Sequence, residues 1–190
     1  FGIKTYKAKV IYIVLEGEAG IRNRVQALEK AHGPLPPNGF GVITQPFEIV
    51  KPQDLIDLSS VIPPGSVVFI DTLNRAAPTA DENSSREMGE ILEAAKALYR
   101  ETNSLVVFVH HTGKDASRGM RGHSSLFAAV DGAIEVTRDA AGNRSWAVAK
   151  AKDGEDDKTA NFRLKRHVLG QDAEGEDIVS CSVEPDLAAI

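Results

Sequence analysis

Residues 66–71 read Ser-Val-Val-Phe-Ile-Asp. An unbroken apolar run rich in β-branched residues and closed by a carboxylate is the pattern of a strand buried on both faces. Two further runs share it: Val-Ile-Tyr-Ile-Val-Leu at 10–15 and Ser-Leu-Val-Val-Phe-Val at 104–109. Strands buried on both sides need helices as cover, and the intervening chain supplies them. After residue 20, Ile21, Val25 and Leu28 recur at helical spacing until His32-Gly33-Pro34 stops the pattern. A small helix is expected around 53–60, after a short strand near 41–43. The longest helix is expected over 84–102, with Met88, Ile91, Leu92, Ala95 and Leu98 as its apolar stripe and Ser84 or Ser85 as its cap.

Residues 72–83 and 112–122 read as polar loops, and 124–130 as a short helix. Beyond residue 130 the period changes. Segments 133–138, 145–150, 161–166 and 178–183 alternate like strands joined by turns. The fold class that follows is α/β: a mostly parallel central sheet with helices on both faces and an antiparallel C-terminal extension.

Composition narrows the function classes. The chain has 190 residues, of which 42% are hydrophobic, enough for a substantial core. Acidic residues outnumber basic ones 27 to 22, for a formal charge of -5. That balance excludes a generally basic nucleic-acid clamp but not local basic loops. Cys181 is the single cysteine, so there is no internal disulfide, and the expected compartment is the reducing cytoplasm. No apolar run approaches the roughly 18 residues a membrane helix needs, and residues 1–7 carry no signal-peptide pattern.

In an open parallel sheet, ligands bind outside the carboxyl ends of the strands. Three polar groups fall at such ends here: Glu16, Asp71-Thr72 and His110-His111. Asp71 is placed to hold hydrated Mg²⁺ beside a nucleotide's phosphates; it can equally be an aspartate that merely ends a strand. Glu16 can orient or deprotonate a water that attacks phosphorus, with Glu18 as a competitor and a solvated loop carboxylate as the plain alternative. Adjacent strand residues face opposite sides, so His110 and His111 do not share one metal; one faces the ligand edge and one serves packing. Lys150 and Lys152, two residues apart, share a face and can reach an anionic ligand in this subunit or the next, or remain an ordinary solvated pair. The 112–122 loop carries Lys114, Arg118 and Arg121 among three glycines, a composition suited to mobile phosphate contact or to a plain surface loop. A phosphate-cradling GxxxxGK[ST] motif is absent from the sequence.

Taken in order, IYIVLEGEAGIRNR (11–24), VVFIDTLNRAAPTADENS (67–84), LVVFVHHTGKDASRGMRGHSSLFAAVD (105–131) and VAKAKDG (148–154) resemble the RecA-like ATPase core of RepA-type hexameric replicative helicases. The resemblance covers residues 1 to about 166. Each motif alone is weak; the set in order is specific.

The resemblance implies an ATP-dependent DNA helicase with ATP and Mg²⁺ as cofactors. Glu16 matches the catalytic glutamate and Asp71 the Walker B aspartate, with Thr72 beside it in the ATP site. His111 matches the γ-phosphate sensor, with His110 next to it. Lys150 and Lys152 match the cationic pair that reaches the neighbouring subunit's nucleotide. Lys114, Arg118 and Arg121 fall where the family places DNA-binding loops, as does the stretch near 74–83. The implied partners are further copies of the chain, as a hexameric ring, and single-stranded DNA, with no membrane.

The missing phosphate loop departs from the family. The expectation is that it lies upstream of residue 1, that residues 1–170 form the rest of the ATPase core, and that 171–190 is an acidic linker able to hold an edge strand. This segment alone is then expected to hydrolyse ATP slowly or not at all. Two other readings keep the fold: a RecA/RadA-like recombination ATPase that forms filaments, and a non-catalytic ring scaffold without any phosphate loop.

Overall fold

A computed structural model describes residues 4–111 and 124–186. These residues form two compact units, one from 6–18 and 35–129, the other from 4–5, 19–34 and 130–186.

The first unit is built on four parallel strands, β1 (Val10–Val14), β2 (Phe40–Ile43), β3 (Val67–Asp71) and β4 (Leu105–Val109), in the order β2-β1-β3-β4. The two central strands hold the core: Ile13, Val14, Val68 and Ile70 are at most 1% exposed. β4 is half-buried, and Leu105 at its start is 62% exposed. That differs from the fully buried strand the apolar run suggests. The run signals strand formation, whereas its place at the sheet edge decides how much is covered.

Helices α2 (Pro52–Val61), α3 (Leu73–Ala76), α4 (Ser85–Thr102) and α5 (Ser124–Ala129) belong to the same unit. Proline at the first position opens α2, where a missing N–H costs nothing. Ser84 caps α4 by accepting from the Glu87 N–H, and Asn103 ends it in the left-handed region. Met88, Ile91 and Leu98 of the expected stripe are buried, whereas Leu92 and Ala95 are half-buried. The stretch 72–83, which reads as a polar loop, contains α3. Four residues give too short a pattern for helical periodicity to register.

The second unit is a four-stranded antiparallel sheet in the order β5-β6-β7-β8, formed by β5 (Gly132–Arg138), β6 (Arg144–Ala151), β7 (Thr159–Gln171) and β8 (Asp177–Pro185). Helix α1 (Ile21–His32) packs on β7 and β8. Gly33 closes α1 at a φ of 87°, which glycine adopts without strain. His167 Nε2 and Ser182 Oγ pair at 2.8 Å where both residues are buried, and Lys30 donates to the Val168 carbonyl at 2.7 Å.

β7 is about twice as long as the sequence pattern suggests, because its charged positions are paired across the ladder. The Glu184 carboxylate accepts from Lys165 at 2.9 Å and Arg163 at 3.3 Å, and these cations, Lys165 first, hold it below the ordinary range. The acidic stretch from Asp172 forms the β7–β8 turn, where Asp172 Oδ1 accepts the Glu174 and Glu176 N–H groups. The β5–β6 turn is built likewise. The Asn143 side chain and backbone donate to Asp139 and lower its carboxyl pKa.

The parallel sheet stands or falls with its two central strands. Ile70→Ala, at a position 0% exposed, is expected to cost about 2–5 kcal/mol in urea unfolding. Ile134→Ala, at a position 69% exposed, should stay within about 0.5 kcal/mol of the parent. Equal losses would contradict this placement of the core.

Candidate functional site

The parallel register decides where chemistry can occur. Val14, Asp71 and Val109 are cross-strand partners on β1, β3 and β4, so these three strands end level. The Leu15 N–H donates to the Asp71 carbonyl at 2.7 Å, extending the ladder one step. Glu16, Asp71-Thr72 and His110-His111 therefore share one carboxyl edge, with Glu16 over β1, Asp71 over β3 and the histidines over β4.

Asp71 is held by a residue that the sequence reading passes over. The Tyr12 hydroxyl donates to Asp71 Oδ2 at 2.6 Å, and the Tyr12 ring stacks on Phe69 with centroids 5.8 Å apart. Tyr12 faces Phe69 across the ladder, so Asp71, two residues on, is its diagonal neighbour on the same face. Such a diagonal lies within reach of an aromatic side chain. That alternation is the signal that can find the pair; within an apolar run, Tyr12 reads only as core.

Thr72 is 2% exposed, and its Oγ1 makes no hydrogen bond among the described residues. Its carbonyl opens α3 by accepting the Arg75 and Ala76 N–H groups. Asn74, also in α3, donates its side-chain amide to Glu82. α3 is anchored by Leu73 and Ala76, both buried, and by the Ile49 N–H donating to the Ala76 carbonyl at 2.8 Å.

From this anchored turn Arg75 reaches Glu16, with Nε 3.6 Å from Oε2. A cavity of about 240 Å³ opens beside the pair, lined by Val14, Leu15, Glu18, Thr44, Pro46, Arg75 and Pro78. Glu18, the competing carboxylate, stands on this cavity wall. Of the histidines, His110 is half-buried and His111 exposed.

The remaining predicted residues do not belong to the described part of the parallel-sheet unit. Lys150 is half-buried near the end of β6, opposite Ala133. Lys152 follows β6 and pairs with Asp131, Nζ to Oδ1 at 3.2 Å. Both belong to the antiparallel unit. Lys114, Arg118 and Arg121 lie outside the described residues.

The carboxyl edge suits a hard, hydrated cation. The groups at the end of β3 are oxygens: the Asp71 carboxylate, fixed through one oxygen by Tyr12, and the buried Thr72 hydroxyl. Among the described residues no cluster of three or more His, Cys, Asp or Glu is arranged to cage a metal by itself. Among the described residues, no helix is long and apolar enough to cross a membrane.

A parallel sheet with carboxylates at or after its strand ends, helices around it and an antiparallel sheet after it in the chain is a RecA-like α/β arrangement. A family model described as an AAA domain matches residues 1–117, more than half of the chain. The chain belongs to this family of RecA-like, AAA-type ATPase domains. Among solved structures it is similar to the crystal structure of the RadB recombinase, at a TM-score of 0.56 and 18% identity, covering 84% of this chain and 76% of that one. At that identity the likeness shows the fold. Comparison with curated protein sequences gives no significant match.

The Tyr12–Asp71 contact is testable without turnover. Tyr12→Phe keeps the ring stack and removes only the hydroxyl. A double-mutant cycle with Asp71→Ala, which removes the acceptor, should give a coupling of about 1 kcal/mol in urea unfolding. A coupling near zero would mean that the hydroxyl does not hold Asp71.

Proposed function

We propose that this chain is the greater part of the ATPase core of a DNA motor, a subunit of a RepA-type hexameric replicative helicase. The observation that carries this reading is the shared carboxyl edge, where the register sets Glu16 and Asp71 over neighbouring strands. Membership of the ATPase family and the motif order at 11–24, 67–84, 105–131 and 148–154 support it.

ATP would lie along this edge between two subunits. Glu16 orients a water toward the γ-phosphorus and takes its proton as the P–O bond to ADP breaks. Asp71, with Thr72 beside it, would hold Mg²⁺, which would supply charge neutralisation at the phosphate oxygens. Lys150 and Lys152 of the adjacent subunit stabilise charge developing on the transferred group. His111, next to His110 at the end of β4, responds to the γ-phosphate. The segment that follows carries Lys114, Arg118 and Arg121 to single-stranded DNA.

The phosphate cradle comes from chain outside this sequence. The outer edge of β4 supports that arrangement. It pairs with no strand among the described residues, and it is apolar enough that a further strand would bury it.

The fold likeness to the RadB recombinase favours a second reading, a recombination-type ATPase that assembles as an open filament. Rings and filaments differ only in whether a head-to-tail interface closes. Electron microscopy of the full-length protein with DNA and an ATP analogue separates them.

For the motor, Glu16→Gln in the full-length protein should lower ATPase kcat by about 10²–10⁴-fold while ATP still binds. Undiminished turnover would remove Glu16 from the mechanism. For DNA binding, replacing Arg118 and Arg121 together should flatten the log–log salt dependence of single-strand affinity by about 1.4, roughly 0.7 for each phosphate no longer neutralised. An unchanged slope would reassign DNA binding to another surface.

A further inference from the structure

The Arg75–Glu16 ion pair is too weak to be structural. Its side chains are 61% and 49% exposed and its single N···O distance is 3.6 Å. Pairs of that kind contribute between nothing and about 1 kcal/mol. Its anchorage is unusual for a surface pair. α3 is fixed below Arg75 by buried Leu73 and Ala76 and by the Ile49–Ala76 hydrogen bond. The backbone preceding Glu16 is fixed by Leu15 donating to the Asp71 carbonyl. Just after Glu16 the chain turns through Gly17 at a φ of 70°. The glutamate thus has a rigid attachment on one side, a turn on the other and a flexible side chain between.

We propose that Arg75 is a positioning residue that aims the Glu16 carboxylate along the carboxyl edge. This rests on the reading of Glu16 as the general base. Fixing a glutamate rotamer costs entropy on the order of 1–2 kcal/mol. A cation on a rigid turn supplies the orienting partner, and a general base works only when its geometry is right.

The pairing also chooses between the two glutamates after β1. Arg75 contacts Glu16, whereas Glu18, which lines the same cavity as Arg75, makes no ion pair with it. The contact runs through one guanidinium nitrogen rather than a two-pronged fork. A lysine, as a point charge, can therefore replace much of it.

The test is a kinetic double-mutant cycle in the full-length protein. Arg75→Ala should lower ATPase kcat about three- to fivefold, with KM for ATP and the melting temperature unchanged, and Arg75→Lys should restore most of the loss. In a Glu16→Gln background, Arg75→Ala should have no further effect. An Arg75→Ala enzyme with parental kcat, or losses that multiply in the double variant, would overturn the positioning role while leaving Glu16 as the base. A Glu16→Gln enzyme with full turnover would overturn both.

Discussion

Everything at the candidate site depends on a backbone constraint: β1, β3 and β4 run parallel and end level, with Val14, Asp71 and Val109 in register. Parallel pairing sends all three carboxyl ends to the same edge. Level ends then put the next residues of each strand side by side. Were one strand antiparallel or out of step, Glu16, Asp71 and His110-His111 would be scattered. The buried aliphatic residues of β1 and β3 exist, in this sense, to hold that edge level.

The two carboxylates are held in different ways. Asp71 is fixed from below by a phenol hydroxyl whose ring is itself stacked on Phe69. Glu16 is half-exposed and guided by one long ion pair from Arg75. A rigid aspartate suits a role as a metal anchor, where position matters and movement costs affinity. A more lightly held glutamate suits a group that must meet a water and accept its proton. The Thr72 hydroxyl, next to Asp71 in the chain, is buried and makes no hydrogen bond among the described residues.

Much of this is legible in the sequence because the central strands are extreme. Runs such as Val-Val-Phe-Ile-Asp admit few readings, and the shared edge follows once they are taken as parallel, whereas its level ends come from the register. Other features stay hidden for physical reasons. α3 is one turn long and polar at two of four positions, so no period betrays it. β4 and β3 look alike as sequence, and only pairing distinguishes an edge from a centre. Tyr12 reads as core because it stands in an apolar run, while its half-buried side chain turns its hydroxyl to Asp71. Arg75 is obscured by the same short turn that makes it effective. The extent of β7 depends on ion pairs and a turn at Asp172 that a hydropathy pattern does not register.

The central claim is that this edge binds and hydrolyses ATP, with Asp71 on the metal side and Glu16 on the water side. The most direct measurement is a structure of the full-length protein with Mg²⁺, ADP and aluminium fluoride, which mimics the phosphoryl group in transfer. The account predicts a hydrated Mg²⁺ whose water is bound by Asp71 beside Thr72, and an in-line water held by Glu16. A nucleotide bound away from the ends of β1 and β3, or an in-line water held by Glu18 with Glu16 turned into solvent, would contradict it.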